Sequence, residues 1–256
     1  MIGCSYYLGT SEGLRAHNWY ITLNDLTAAK CLLQASPARG QFRIEFNPNR
    51  AGPTGMVALR RRVAETLTNY ASLLFSEGGL TRLDIAVDVS PVELNYLKTF
   101  AKGLALSSSK YGSGGRHLET IYLGSERSKL QFAIYDKFHE TSRNQAFADT
   151  VRFEARLRYK MSVSDITAIA NPFERLEIYD FFHSAVAGQI PYKYQHFMDS
   201  VRQRGLHPAL GCIPDSRIRR RYREYCGSMY DCEWWNPERM WSRFGGEAAR
   251  LQAQLL

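Results

Sequence analysis

Four stretches of the chain alternate strictly between apolar and polar residues. In 41–47, Phe42, Ile44 and Phe46 take one parity, and Arg43, Glu45 and Asn47 the other. In 80–89, Leu83, Ile85 and Val87 alternate with Arg82, Asp84, Ala86 and Asp88. In 130–135, Leu130, Phe132 and Ile134 oppose Gln131, Ala133 and Tyr135. In 151–159, Val151, Phe153, Ala155 and Leu157 oppose Arg152, Glu154, Arg156 and Arg158. A period of two predicts strands with one face on a core and one face toward solvent. The β-prone run 120–123 precedes 130–135 across a polar, Gly-containing turn at 124–129, which predicts an antiparallel hairpin. A further short strand is expected at 19–23, after an irregular segment over 1–17.

Helical spacing appears elsewhere. Val57, Leu59, Val63, Leu67 and Leu74 give residues 56–75 an apolar stripe, with Arg60, Arg61 and Arg62 basic, and Glu77-Gly78-Gly79 as the stop. Ser90 as N-cap and Pro91 at the first helical position predict a second helix to about Leu106. Residues 48–55 and the Ser/Gly-rich 107–115 are expected as loops. These elements predict an α+β fold: a mostly antiparallel sheet whose apolar face is covered by the helices at 56–75 and 91–106. Beyond Lys160 helical spacing dominates, at 164–169, 172–187, 192–204, 216–229 and 246–256, with a break at 205–214. A boundary near residue 160 would separate a chemistry-bearing domain, 1–160, from a helical DNA-binding or dimerisation region, 161–256.

Composition narrows the function classes. The 256 residues are 45% hydrophobic and 12% aromatic, enough for a substantial core and against disorder. The formal net charge of +8 suits a polyanionic partner. The five Cys are scattered without a CxxC, which argues for reduced thiols and against a zinc site or a disulfide framework. No apolar run approaches the ~18 residues of a membrane span.

The polar parity is rich in carboxylates and Arg where a solvated sheet face would carry Lys, Thr, Ser and Gln. Tyr135 closes its strand on this face, followed at once by Asp136, Lys137 and Glu140. A phenol there is a candidate nucleophile, and Lys137 could steady a phosphate or lower the phenol's pKa. Hard Mg²⁺ or Mn²⁺ would take oxygen ligands. Asp84 leads the candidates, with Glu154 about 5 Å away if their strands pair, and Glu119 and Glu45 behind them. Asp88, about 13 Å along the strand from Asp84, is too far to share one ion. No histidines stand in a His-hydrophobe-His pair. Arg152 and Arg156 lie on the same face as Tyr135. Arg217, Arg219, Arg220, Arg221 and Arg223, five Arg within 217–223, could contact backbone phosphate.

Read in order, LTRLDIAVDVS (80–90), ETIYLGSERS (119–128), FAIYDKFHE (132–140) and TVRFEARLRY (150–159) resemble the successive motifs of the Rep_trans-type replication initiation factors. That family includes rolling-circle plasmid initiators, filamentous-phage initiators and related conjugative relaxases. The resemblance covers roughly residues 19–160. It implies a metal-dependent nickase that cuts one DNA strand at an origin, joins itself to the 5′ phosphate through Tyr135 and leaves a 3′-OH primer. It also implies a bacterial cytoplasmic setting, on a plasmid, phage or integrative element. The partners it implies are an origin duplex or hairpin, the single strand at the nick, a host helicase and a second copy of the chain. The alternatives are a conjugative relaxase or a catalytically silent origin-binding protein. One position departs from the family pattern: Ala133 stands where Arg is usual, which puts a phosphate contact from that position in doubt.

Overall fold

The computed structural model describes residues 19–24, 30–36, 41–67, 76–112, 118–158, 160–181, 190–228, 232 and 234–255. They divide into two compact units, the first holding 1–79, 162–167 and 246–256, the second 80–161 and 168–245. The chain passes from one unit to the other at 79/80, 161/162, 167/168 and 245/246, and the helices at 192–228 belong to the same unit as the sheet carrying Tyr135.

In the first unit, β1 (Trp19–Asn24), β2 (Lys30–Ser36) and β3 (Gln41–Glu45) form an antiparallel sheet in that order. The strand holding Glu45 therefore does not join the other alternating strands, and Arg43 Nη2 donates to Glu45 Oε2 at 2.8 Å. Helix α1 (Pro48–Leu67) already begins inside the expected loop. Its first turn ends at Gly52, whose φ of 63° suits a residue without Cβ, and Pro53 opens the next turn with its φ preset. Ala51, Met56, Leu59 and Val63 form its buried face.

The second unit is built on five antiparallel strands. They are β4 (Leu83–Val89), β6 (Ser107–Tyr111), β7 (Leu118–Leu123), β8 (Leu130–Asp136) and β9 (Val151–Leu157), in the spatial order β4-β9-β8-β7-β6. The expected hairpin is present: Ile121 faces Ile134 and Leu123 faces Phe132. Gly124 turns it at φ 92°, where a Cβ would meet the Leu130 carbonyl oxygen at 2.8 Å. The Ser/Gly-rich loop becomes β6 over Ser107–Tyr111, because its backbone completes the ladder on β7.

The helix expected over 91–106 does not form. The Ser90–Pro91 peptide is cis, a single tight turn spans Leu94–Tyr96, and Leu97–Ala101 is strand β5. It pairs antiparallel with β10 (Leu176–Asp180), which lies within the helix expected over 172–187. Each segment lends the other its backbone partners, a non-local pairing that overrides local spacing. The sheet's apolar side is covered instead by aromatic residues from later in the chain. Phe153 packs against Trp235 with ring centroids 4.8 Å apart, and Phe132 against Phe173 at 6.3 Å. Phe132 and Phe153 are fully buried.

Three helices follow: α3 (Tyr192–Arg204), α4 (Leu206–Gly211) and α5 (Ser216–Ser228), α2 being the short turn Lys137–Glu140. Phe197, Met198, Val201, Leu206 and Leu210 pack into a second core with Tyr96 and Phe181. The break expected at 205–214 thus contains a short helix. Two helices, α6 (Pro237–Trp241) and α7 (Phe244–Leu255), close the chain, and α7 matches the expected helical tail.

Candidate active site

Alternation and register together place the site on the sheet's polar face. Arg152 on β9 faces Asp88 on β4 and Tyr135 on β8. Glu154 faces Ala86 and Ala133, and Arg156 faces Asp84 and Gln131. On β7, Thr120 faces Tyr135 and Tyr122 faces Ala133. One face thus gathers the Tyr, the Arg and most of the acids that sequence parity assigned to it.

Tyr135 is half-buried at the strand end, and its hydroxyl donates to Glu154 Oε2 at 3.1 Å. The Arg152 guanidinium sits beside the Tyr135 hydroxyl. It is held by Asp88 through two bonds, Nε to Oδ1 at 2.5 Å and Nη2 to Oδ2 at 2.6 Å. Burial pushes the phenol's pKa far above its ordinary value, the Glu154 charge pushes it further, and Arg152 opposes both. The Arg152 guanidinium lowers this pKa, but desolvation and the Glu154 charge together outweigh it. The phenol carries its proton at neutral pH, and Glu154 is the acceptor already in contact with it.

Lys137 is buried, and its ammonium pairs with Glu140. It lies 5.6 Å from the Phe147 ring centroid and 6.0 Å from that of Tyr135. Asp136 caps the turn by accepting from the His139 backbone N–H at 3.1 Å, and its other oxygen meets His139 Nδ1 at 2.9 Å. This cap fixes the direction in which the chain leaves the Tyr135 strand.

The acids expected to bind metal are placed apart. Asp84 is chelated by Arg82, Nε to Oδ1 at 2.8 Å and Nη2 to Oδ2 at 2.6 Å. Its strand does pair with that of Glu154, but one row out of step: Asp84 faces Arg156, and Glu154 faces Ala86. The 5 Å approach therefore does not form, and Glu154 Oε1 accepts from Arg156 Nε at 2.6 Å. Glu119 is the extra residue where the β6–β7 register shifts, and its carboxylate lies against Gly112. Among the described residues no three His, Cys, Asp or Glu gather as a metal-ligand cluster. Asp84, Asp88 and Glu154 are each held by an Arg.

Four further residues border the site. Tyr122 has the Arg156 guanidinium 5.7 Å and Lys110 Nζ 5.2 Å from its ring centroid. Ala133, where the resembled family carries Arg, is fully buried, and Arg156 from the next strand brings a cation to the adjacent row. Gln131 and Arg158 extend the same parity toward the other end of the face.

The five Arg of α5 are not equivalent. Arg219 donates to the Ile213 carbonyl at 3.0 and 2.6 Å, and Arg220 pairs with Glu224 at 2.8 Å. Arg217, Arg221 and Arg223 are exposed.

No family model matches the chain, and no curated protein matches it. A search of solved structures finds a neighbour described as a rolling circle replication initiator protein from Geobacillus stearothermophilus, 14% identical, at a TM-score of 0.35. That match covers 77% of this chain and 85% of the other. At that level of similarity the functional reading has to rest on the site itself.

Proposed function

We propose that this protein is a replication initiator that nicks one DNA strand at an origin and joins itself to the 5′ phosphate through Tyr135. The observation that carries the reading is the Tyr135–Glu154 hydrogen bond, set among Arg152 and Arg156 on one sheet face. Tyr135 Oη attacks phosphorus while its proton passes to Glu154. A bond forms between Oη and phosphorus, the bond to the 3′ oxygen breaks, and that oxygen leaves as a 3′-OH after taking a proton from water. Arg152, across from Tyr135, stabilises the charge that builds on the non-bridging oxygens. The same chemistry would serve a conjugative relaxase.

The test is a supercoiled plasmid carrying the cognate origin, incubated with the protein and resolved in SDS. Wild type should relax the plasmid and leave protein attached to a 5′ end. Tyr135→Phe removes one oxygen and should bind DNA while forming no adduct. A second reading, a silent origin-binding protein, is favoured by the raised phenol pKa and the Arg-paired acids. Wild-type protein that binds the origin and never forms an adduct would establish it.

A further inference from the structure

The polar face does not end at the nicking residues. Beyond Arg156, parity carries Arg158 onto the same face, and the Leu157–Leu83 register brings it beside Arg82. The Arg158 backbone N–H donates to the Lys129 carbonyl at 2.8 Å, which fixes this end of β9 against the hairpin turn. Arg158 Nη1 is buried and has no hydrogen-bond partner among the described residues. Gln131, directly across from Arg156, is 5% exposed, and its Oε1 also lacks a partner among them. Its amide nitrogen is occupied, donating to the Gly124 carbonyl at 3.3 Å. Orphaned buried polar atoms are uncommon, and a guanidinium N–H without an acceptor is among the costlier ones.

Charge leads the same way. Arg82 and Arg156 at this end pair with Asp84 and Glu154, and Arg158 adds a third guanidinium beside them, with Glu126 nearby. Desolvation, with Arg82 next, lowers the Arg158 pKa, as expected of a guanidinium crowded by like charge.

We propose that Arg82, Arg156 and Arg158 form a binding site for a backbone phosphate of the single strand, at the end of the face away from Tyr135. It rests on the nicking reading only for the identity of the strand. Arg presents a planar fork that matches phosphate oxygens, and an added anion would satisfy Arg158 Nη1 and relieve the like-charge crowding. Six steps along the extended chain separate Arg158 from Arg152, which faces Tyr135, or about 20 Å at strand rise. At a stacked rise of ~3.4 Å per nucleotide this corresponds to about six nucleotides. The site would hold the strand in line at a distance, so that the scissile phosphate reaches Tyr135 in register.

The experiment measures binding of fluorescein-labelled dT20 to the full chain by anisotropy across a salt series. Arg158→Gln should weaken binding about tenfold or more. It should also reduce the log–log salt slope by about 0.7, the share of one neutralised phosphate. Arg158→Lys, which keeps the charge, should retain the slope, and thermal melting confirms that each variant folds. If Arg158→Gln does not fold, Arg82→Gln carries the same test. Wild-type affinity and slope in the glutamine variant overturn the site. The two readings fail separately: an unchanged slope beside a Tyr135-dependent adduct removes the phosphate site alone. A reduced slope in a protein that never forms an adduct removes nicking alone.

Discussion

Replacing Glu154 by Gln separates two effects that Tyr135 feels at once. Gln keeps the volume and can still hydrogen-bond the Tyr135 hydroxyl, but it carries no charge and is a far weaker base. The Glu154 charge raises the phenol's pKa, second only to burial, so the variant's phenol should titrate lower. If phenolate population alone set the rate, adduct formation would speed up. If Glu154 takes the proton during attack, the rate should instead fall by about 10²–10⁴, the usual contribution of a positioned general base. That is about 2.7–5.4 kcal/mol in the barrier. Arg156 would also be deprived of the carboxylate it meets at 2.6 Å, in a pair whose side chains are 22% and 13% exposed. Removing that partner should cost about 1–3 kcal/mol of stability, readable in urea and small enough to leave a folded protein. The rate is measured by single-turnover joining of a 3′-labelled origin strand, resolved in SDS. The phenol is followed by ultraviolet titration of each protein against its Tyr135→Phe counterpart. A Glu154→Gln protein that joins DNA within a few-fold of wild type would sink the assignment.

Other elements give independent checks. His207 Nε2 donates to the Leu97 carbonyl at 3.2 Å, and burial lowers its pKa from the ordinary value. Its neutral form is favoured on folding, so the stability it contributes is present above pH ~6.5 and declines as pH falls toward the folded pKa. His207→Gln should flatten that part of the melting-temperature profile, and an unchanged profile would remove the claim. Replacing Arg217, Arg221 and Arg223 together by Gln should lower the duplex-binding salt slope by up to about 0.9 for each phosphate no longer neutralised. Arg219→Gln should instead lower stability with little change in slope, because its guanidinium is engaged by the Ile213 carbonyl.

Period-two alternation is enough to place β4, β8 and β9 and to put Tyr135, Glu154, Arg152 and Asp84 on one face, because in a half-buried strand parity alone decides the side. Register is a property of pairs of strands, and a single strand's sequence does not carry it. One row of offset turns the expected Asp84–Glu154 neighbours into Asp84–Arg156 and Glu154–Ala86. Local spacing makes β5 and β10 look helical for the same reason. Their pairing joins Leu97 to Asp180, and no local window contains both partners. Asp180 itself, fully buried, accepts from Trp234 Nε1 at 2.9 Å, a contact no periodicity announces. The Arg158 end of the face is visible as parity, but its importance lies in a buried nitrogen without a partner among the described residues, which is a three-dimensional fact.

The charge balance of the face bears on the divalent ion that the sequence leads one to expect. Asp84, Asp88 and Glu154 stand among Arg82, Arg152, Arg156 and Arg158, and each acid is engaged by one of those Arg residues. A cation entering here must displace a guanidinium from a carboxylate it already holds and meet a net positive field from the rest. Mg²⁺ in particular sheds water reluctantly and is often bound by one or two carboxylates together with substrate phosphates. The protein without DNA should therefore have little affinity for Mg²⁺ or Mn²⁺. An ion bound to the folded state at a hundred times its Kd would add about 2.7 kcal/mol. For a chain of this size that would raise the melting temperature by about 5–10 °C. Melting curves of the DNA-free protein with saturating Mn²⁺ and with EDTA should instead coincide. A rise of several degrees in Mn²⁺, abolished by Asp84→Asn, would show that the acids of this face hold the ion on their own and that their Arg partners yield to it.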